Sequence, residues 1–318
     1  MQKITETVEV LANLLIRPQR ASYRENQLIG GVERKFHVKG KVCARVDFVI
    51  PNNYGHELQC SLYLQGQFLE DAKGKNCVIY LHGNCGCRLD ANEVVALLLP
   101  EDICVCCFDF SGSGLSGGEY ITLGAREPHD LKFIVTFLRT LGIVQVGLWG
   151  RSMGAVTALR YLHKERDLTI AGILADSPFT TLVELVYHLT SDKIFLPKLA
   201  INIALHYINK IVESKAKFSI REVDTLESAK ECFVPALLAH GKDDRLIPTA
   251  HSERILEEYA GDCKLLLVSG DHNDLRPLHF KKAARWFFKE LLKGGIKTPE
   301  DLFAGIAASS PQDDGSAS

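Results

Sequence analysis

The sequence lacks a surplus of charge of either sign. Its 37 Lys and Arg residues nearly balance its 39 Asp and Glu residues, which leaves a formal net charge of -2. A protein that binds nucleic acid or an acidic membrane through its overall charge carries a strongly basic face, and this composition indicates none. We therefore expect no binding to nucleic acid.

The sequence also lacks an apolar run that approaches the length of a membrane span. The apolar stretch 8–16 is interrupted by Glu9, and no small-residue cleavage site follows it, so it does not have the pattern of a signal peptide. It predicts a helix that either packs on the core, which we favour, or makes a peripheral membrane contact through Leu11, Leu14 and Leu15.

The cysteines do not form the regular framework of a small secreted domain. There are 10 of them, and most lie inside apolar runs, as Cys104, Cys106 and Cys107 do. Cys85 is close to Cys87 in sequence, but a structural zinc site would need a second Cys or His pair at suitable spacing, and none follows. We expect buried thiols in a reducing, cytoplasmic setting and no bound metal.

Nucleotide-binding motifs are missing as well. Residues 111–118 are rich in glycine and follow an apolar run, yet they lack the G-x-G-x-x-G spacing of a dinucleotide site. The sequence contains no Gly-Lys-Ser or Gly-Lys-Thr phosphate loop. No nucleotide cofactor is expected.

The sequence does contain a regular alternation of short apolar runs and helical patterns. Residues 34–50 and 58–64, separated by a dense turn signal, predict an opening antiparallel hairpin. Six further runs predict strands, at 77–81, 103–108, 144–149, 170–175, 234–239 and 264–268. Strands that alternate with helices predict the α/β class, with a mostly parallel sheet and helices on both faces.

Residues 150–154 read Gly-Arg-Ser-Met-Gly, a G-x-S-x-G motif. An apolar run that ends at Trp149 precedes the motif, and a helical pattern follows it. A serine between a strand and a helix in this setting lies on a sharp turn, which exposes its hydroxyl at the edge of the sheet. We interpret the motif as a nucleophile elbow and Ser152 as its nucleophile; a glycine-rich turn with an ordinary serine is the plain alternative.

A serine hydroxyl is a weak nucleophile at neutral pH, so it needs a base within reach. His272 follows the last predicted strand in a short turn and is the predicted general base. His82 and His240 also end strands, but each precedes a glycine, and we interpret both as structural. His251 and His279 lie in helical patterns and are predicted to be surface residues.

The carboxylate that orients the base is expected after the preceding strand, where Asp243 and Asp244 are adjacent. Either one gives the chain order Ser, Asp, His of the nucleophile-elbow hydrolases. We favour Asp244 and expect Asp243 to cap the turn or to face solvent. Asp109 and Asp176, at other strand ends, are interpreted as helix caps or turn anchors.

An oxyanion that forms on the substrate needs backbone N–H donors. The elbow supplies one from Met153. The loop 82–86 after the first parallel strand should supply the second, from Asn84, with Cys85 as the alternative.

One domain is expected over residues 1–303. Within it, the regular alternation stops between residues 181 and 230, which predicts a short helical cap over the strand ends; a pair of long crossover helices is the alternative. Residues 304–318 are rich in Ala, Ser, Asp and Gly and are predicted to form a disordered tail.

In order along the chain, these motifs resemble those of the α/β-hydrolase superfamily, specifically its BEM46-like and serine aminopeptidase-like, esterase/lipase-type branch. The resemblance covers roughly residues 17–292 and rests on stretches 16–18, 81–84, 108–116, 150–154, 176–179, 240–244 and 270–273. It implies the α/β-hydrolase fold, Asp244 as the carboxylate and His272 as the base. It also implies a serine hydrolase that works through an acyl-enzyme without a cofactor. Cys85 and Cys87 depart from the small or polar residues that are usual in the oxyanion loop.

Three functions remain open at this point. The first is hydrolysis of carboxylic esters or thioesters of acyl compounds of small to medium size. The second is an aminopeptidase or amidase activity, because the expected cap contains Glu184, Glu213, Glu222 and Asp224, any of which could hold a substrate amine. The third is a catalytically idle interaction protein of the same fold, against which the complete set of Ser, Asp and His argues. The sequence does not indicate an oligomeric state.

Overall fold

One sheet of nine strands runs through the part of the chain that the computed structural model describes, which comprises residues 2–191, 198–294 and 298–308. The strands are β1 (Lys35–Val38), β2 (Lys41–Pro51), β3 (Glu57–Gln65), β4 (Cys77–Leu81), β5 (Cys104–Phe108), β6 (Val146–Arg151), β7 (Ile170–Asp176), β8 (Ala236–Gly241) and β9 (Cys263–Val268). Their order across the sheet is β1-β2-β3-β5-β4-β6-β7-β8-β9. β1, β2 and β3 pair antiparallel, β3 joins β5 antiparallel, and the remaining pairs are parallel.

The predicted α/β class and the mostly parallel sheet are confirmed. The six apolar runs correspond to β4 to β9, with ends that differ from the structure by at most two residues. The predicted first strand of the hairpin is divided by a turn at Lys39 and Gly40, both with positive φ, into β1 and β2. In β4 and β5 every residue is buried, which explains why these strands read as continuous apolar runs and not as alternating patterns.

Ten α-helices lie in the described part of the chain. They are α1 (Gln2–Ile16), α2 (Asn92–Leu98), α3 (Glu127–Thr140), α4 (Met153–Glu165), α5 (Leu182–Ser191), α6 (Lys198–Ala216), α7 (Thr225–Ala229), α8 (Ala250–Glu258), α9 (Leu278–Lys293) and α10 (Pro299–Ala308). Apolar residues of α1, α3, α4 and α6 join one buried cluster, and those of α2, α9 and α10 join a second. The two clusters are the two covered faces of the sheet.

Helix α3 illustrates how local sequence builds this arrangement. Proline stands in its first turn, where the missing N–H costs no hydrogen bond. Leu131, Ile134, Val135 and Leu138 recur at helical spacing and are all buried. The helix therefore packs one apolar stripe against the sheet.

The amino-terminal apolar stretch forms the second half of α1. Val8, Ala12, Leu15 and Ile16 are buried in the core cluster, so this helix packs on the core as favoured from the sequence. Peripheral contact with a membrane through its remaining leucines stays a prediction. None of the described helices combines the length and the apolar character that crossing a bilayer requires.

The described residues between 181 and 230 form α5, α6 and α7 and a short 3-10 turn. Their function as a cap stays a prediction. The expected tail needs one correction: residues 304–308 are the last turn of α10, and Ile306 is buried because α10 packs on α9. Residues 309–318 lie outside the described residues.

Candidate active site

The G-x-S-x-G motif forms a tight turn between β6 and α4. Ser152 adopts φ 52° and ψ -116°, a conformation that costs a non-glycine residue on the order of 1–3 kcal/mol and is found mainly at functional sites. A Cβ on Gly154 would collide with the backbone carbonyl of Leu81, and one on Gly150 would collide with the backbone of Gly154. Only glycine at both positions lets the start of α4 approach the sheet this closely.

The turn brings the Ser152 hydroxyl next to His272, which lies in the loop after β9. The distance between Ser152 Oγ and His272 Nε2 is 3.2 Å, and His272 Nδ1 lies 2.7 Å from Asp244 Oδ2. A carboxylate can only accept, so Nδ1 carries the proton and Nε2 presents its lone pair to the hydroxyl. All three residues are buried, and the structure thus brings the three residues predicted from the sequence into one hydrogen-bonded chain.

Asp244 is held as a carboxylate by the groups around it. Its Oδ1 accepts the N–H groups of Leu246 and Ile247 at 3.0 and 2.7 Å, while Oδ2 faces His272 and, at 3.3 Å, His240 Nε2. Burial alone would raise the pKa of Asp244, but the hydrogen bonds from His240, His272 and the Ile247 amide outweigh it and hold that pKa well below its usual range. The carboxyl is therefore ionised wherever the protein is folded near neutral pH.

Two arginines fix the backbone of the loop that carries His272. Arg151 donates from Nη2 to the carbonyl oxygens of His272 and Asp274, at 2.7 and 3.1 Å. Arg276 donates to the carbonyl oxygen of Asp271 at 3.1 Å. Sequence reasoning missed both arginines as site residues, because nothing in the local pattern distinguishes them from surface arginines.

Arg276 is buried together with Asp176. Its Nε and Nη2 donate to the carboxylate at distances between 2.9 and 3.1 Å, and the backbone oxygen of Asp176 accepts the N–H of Ser152 at 2.7 Å. Asp176 is thus a turn anchor, as interpreted from the sequence, and it links the elbow to the His272 loop. The pairing of Arg276 with Asp176 matters because a buried charge without a partner would lower the stability of the folded protein.

The loop after β4 lies beside the elbow. β4 and β6 are adjacent in the sheet, and a Cβ on Gly83 would lie 3.8 Å from Ser152 Cβ. Asn84 and Ser152 line the same cavities. Among the hydrogen bonds of the described residues, none is donated by the main-chain amides of Asn84 or Met153. Their use as an oxyanion hole, with Cys85 as the alternative to Asn84, stays a prediction.

The remaining strand-end residues have structural partners. His82 is buried and accepts the N–H of Phe110, at 3.1 Å. His240 bonds the Ser252 hydroxyl and the Ile247 carbonyl oxygen, both at 2.7 Å. These contacts agree with a structural interpretation of both histidines.

Asp109 and Asp243, which the sequence analysis interpreted as turn or cap residues, also have structural partners. Asp109 accepts the N–H of Arg88 and of Leu115 and the hydroxyl of Tyr23, each at 2.7 Å, and therefore anchors a turn. Asp243 is exposed and accepts the N–H of Gly270 at 3.2 Å, as expected of a turn residue.

The prediction that His251 is a surface residue is wrong. Its side chain is buried between α8 and the start of α5, where Nδ1 accepts the N–H of Thr180 at 3.2 Å and faces Glu184. The helical pattern of α8 did not reveal this contact, because it depends on a segment 71 residues earlier in the chain. His279, predicted to lie on the surface as well, is half-buried.

Two cavities meet at Ser152 and Asn84. The first, which we call the polar cavity, has a volume of about 490 Å³ and contains the charged side chains of Arg151, Asp176 and Arg276. The second, the apolar cavity, has a volume of about 240 Å³. Its walls are mainly aliphatic and come from α1 (Leu11, Leu14, Leu15), α5 (Leu185, Val186, Leu189) and the segment after β8 (Leu246, Ile247).

The four acidic residues considered for binding a substrate amine line neither cavity. Glu184 pairs with Arg254 at 2.9 Å, and Asp224 caps α7. In the described part of the chain, no group of three or more His, Cys, Asp or Glu side chains is arranged to hold a metal ion.

Comparison with known proteins agrees with this architecture. Residues 76–199 match the family described as the alpha/beta hydrolase fold. The uncharacterized protein YqkD of Bacillus subtilis is 28% identical over 228 residues, which span 71% of this chain and 72% of YqkD. Human protein ABHD12B is also 28% identical, over 59% of this chain and 54% of its own length.

Solved structures agree as well. The Pyrococcus furiosus esterase Pf2001 superposes with a TM-score of 0.60 at 24% identity, covering 79% of this chain and 92% of the esterase. The nine-stranded sheet, the tight turn at Ser152 and these matches together show that the chain has the α/β-hydrolase fold.

Proposed function

We propose that the protein is a serine hydrolase that cleaves carboxylic esters or thioesters through an acyl-enzyme. The observation that carries the proposal is the hydrogen-bonded chain from Ser152 through His272 to Asp244, at the meeting point of two cavities. The esterase structures that share the fold, Pf2001 among them, are in keeping with it. As sequence reasoning already indicated, Ser152 acts as nucleophile, His272 as general base and Asp244 as the orienting carboxylate.

In the first half of the reaction, Nε2 of His272 takes the hydroxyl proton of Ser152 while Oγ attacks the acyl carbon. The charge that develops on the carbonyl oxygen is stabilised by the N–H groups of Asn84 and Met153; one such donor is worth on the order of 3 kcal/mol in the transition state. The imidazolium then gives its proton to the leaving alcohol or thiol. Asp244 stabilises that imidazolium and keeps the ring oriented.

In the second half, water takes the place of the leaving group. His272 accepts a proton from the water, which attacks the acyl carbon of the acyl-enzyme, and then returns that proton to Ser152 Oγ as the acid departs. Besides the substrate and this water, both halves use only groups of this chain.

The peptidase alternative loses the support expected from the segment 181–230. An aminopeptidase holds the amine of its substrate with an acidic side chain, and the four acidic residues of that segment line neither cavity. The acidic side chains of the polar cavity come instead from Asp90, Glu93 and Asp176, of which Asp176 is paired with Arg276. An idle interaction protein is disfavoured by the hydrogen-bonded chain itself. A reducing, cytoplasmic setting remains part of the proposal and is in keeping with 10 free cysteines.

The nucleophile is tested with Ser152→Ala. We expect this variant to lose labelling by a fluorophosphonate and hydrolysis of 4-nitrophenyl esters, by a factor on the order of 10⁶ in kcat, with an unchanged circular dichroism spectrum. The matched control is Ser269→Ala, an exposed serine after β9, which should retain both activities. Labelling that persists in Ser152→Ala would contradict the proposal.

A further inference from the structure

The apolar cavity is placed to receive one end of a substrate held at Ser152. Ser152 and Asn84 both line it, so an acyl group bonded to Ser152 Oγ has the cavity directly beside it. Helices α1 and α5 both contribute aliphatic side chains to its wall. Helix α1 precedes the whole α/β alternation, and its sequence gave no reason to include it in the site.

We propose that this cavity binds the acyl chain of the substrate, with α1 as one of its walls, and that the enzyme prefers straight acyl chains of about eight carbons. The inference rests on the proposed hydrolase function and names its substrate class. The polar cavity then receives the alcohol or thiol half of the substrate.

The residues that line the two cavities determine which cavity suits the acyl chain of the substrate. None of the described residues that line the apolar cavity is ionisable, and its polar members besides Ser152 and Asn84 are limited to Thr190. An aliphatic chain gains free energy in such surroundings, since its methylenes leave water without displacing a charge. The polar cavity also has apolar walls, Trp149 and Phe280 among them, but there the same chain would lie against Arg151, Asp176 and Arg276 as well. Burial of a chain there would desolvate these charged groups, which is unfavourable.

The volume of the apolar cavity limits the length of the acyl chain that it can bind. The cavity measures about 240 Å³. An engineered apolar cavity of about 150 Å³ binds benzene, a molecule of six carbons, so in the same proportion this cavity holds a chain of about eight to ten carbons. Two of its lining residues are partly open to solvent, Leu14 at 55% and Leu246 at 36% exposure, so the cavity has a rim there and a longer chain would extend beyond it into solvent. Methylenes beyond the rim should add little to binding.

The test is a series of 4-nitrophenyl esters from acetate to dodecanoate, each assayed below its solubility limit. Each methylene that the cavity buries is expected to raise kcat/KM by about fourfold. We expect wild-type protein to show this rise up to about the octanoate and a plateau beyond it.

Variants that fill the cavity locate the binding site. Leu11→Trp on α1 and Leu189→Trp on α5 replace half-buried wall residues, so the folded state should tolerate the added bulk. Each should lower kcat/KM for the octanoate at least tenfold while changing that for the acetate less than threefold. Val10→Trp is the matched control: it is on the same helix, 57% exposed and outside both cavities, and it should keep the wild-type profile.

The possible outcomes distinguish a failure of the acyl-binding assignment from a failure of the proposed hydrolase function. If no ester or thioester is hydrolysed in a Ser152-dependent manner, the proposed function fails and the inference fails with it. If hydrolysis depends on Ser152 but acetate is the best substrate, or the two tryptophan variants lower all chain lengths equally, the hydrolase stands and the acyl-binding assignment is overturned.

Discussion

At the scale of single residues, the two neighbouring aspartates after β8 have opposite surroundings. The carboxylate of Asp244 is fully buried and contacts two imidazoles, whereas Asp243 is exposed and bonds one loop amide. Asp244→Asn would present an amide to His272 Nδ1, which favours the wrong tautomer of the ring. We expect a loss of kcat on the order of 10³–10⁴-fold on 4-nitrophenyl esters.

Asp243→Asn is the matched control for this change. It alters the same side chain by the same atoms one position earlier, and the exposed loop contact it weakens does not involve His272 directly. Its kcat should stay within a few-fold of wild type. Equal losses in the two variants would mean that the loop contact of Asp243 matters as much as the buried contact of Asp244.

Residue-level prediction from the sequence succeeded where chemistry is encoded locally. Ser152, Asp244 and His272 each lie within five residues of the end of an apolar run, and the edge where parallel strands end brings such positions together. The buried pairing of Arg276 with Asp176 joins residues 100 positions apart, and the burial of His251 depends on a turn 71 positions away. No pattern along the chain records either contact.

At the scale of elements, the elbow requires close contact between α4 and the end of β4. Gly154 lies against the carbonyl of Leu81, and this main-chain atom cannot move aside without disturbing the sheet. Gly154→Ala should lower the free energy of unfolding by about 1–3 kcal/mol, the usual cost of forcing extra atoms into packed structure. Urea unfolding followed by circular dichroism measures the change.

Gly83→Ala provides the comparison at the same site. A Cβ there would lie 3.7 Å from the nearest atom, which is ordinary van der Waals contact, so its free energy of unfolding should stay within about 1 kcal/mol of wild type. If the two variants were equally stable, the main chains of the elbow and of β4 could not be packed as closely as described.

A second contact between elements predicts how stability depends on pH. Thr180, just before α5, donates its N–H to His251 of α8, and Arg254 of α8 pairs with Glu184 of α5. Burial lowers the pKa of His251 to about 4, against the opposing effect of Glu184. The ring is thus neutral in the folded protein, whereas in the unfolded chain its pKa is near 6.5.

Because the folded pKa of His251 lies below the unfolded one, the unfolded state binds the proton more readily. The contribution of this residue to the free energy of unfolding is complete above about pH 6.5 and decreases as the pH falls toward about 4. Between pH 7 and pH 5 the decrease should be about 2 kcal/mol.

Urea unfolding of wild type and His251→Gln at both pH values isolates this decrease. The glutamine variant should be less stable at pH 7 but should lack this part of the pH dependence. His206→Gln, at an exposed position on α6, should behave as wild type does. A wild-type pH dependence that persists in His251→Gln would assign the decrease to another group.

At the scale of the whole molecule, the fold was largely predictable because β4 to β8 are almost entirely buried and each therefore contains a continuous apolar run, while the edge strand β9 is only partly buried. What could not be predicted is how the helices before and after the alternation pack. The long-range contacts of α1 with α6 and of α10 with α9 are set by the shape of the assembled core. The wall that α1 contributes to the apolar cavity follows from that packing and has no signature in its own sequence.

The distribution of thiols tests the packing of the whole molecule at once. Of the 10 free cysteines, Cys85 is exposed, Cys263 is half-buried and the remaining eight are buried. With an aromatic disulfide reagent at pH 8, we expect one thiol to react rapidly in the folded protein, a second slowly and eight only after denaturation, since a buried thiol cannot meet the reagent. Cys85→Ser should remove the rapid phase alone.

Because Cys85 lines the polar cavity next to Ser152, its modification should also lower ester hydrolysis in wild type but not in Cys85→Ser. A rapid phase of several thiols, or one that survives in Cys85→Ser, would contradict the burial of the strands that carry the other cysteines.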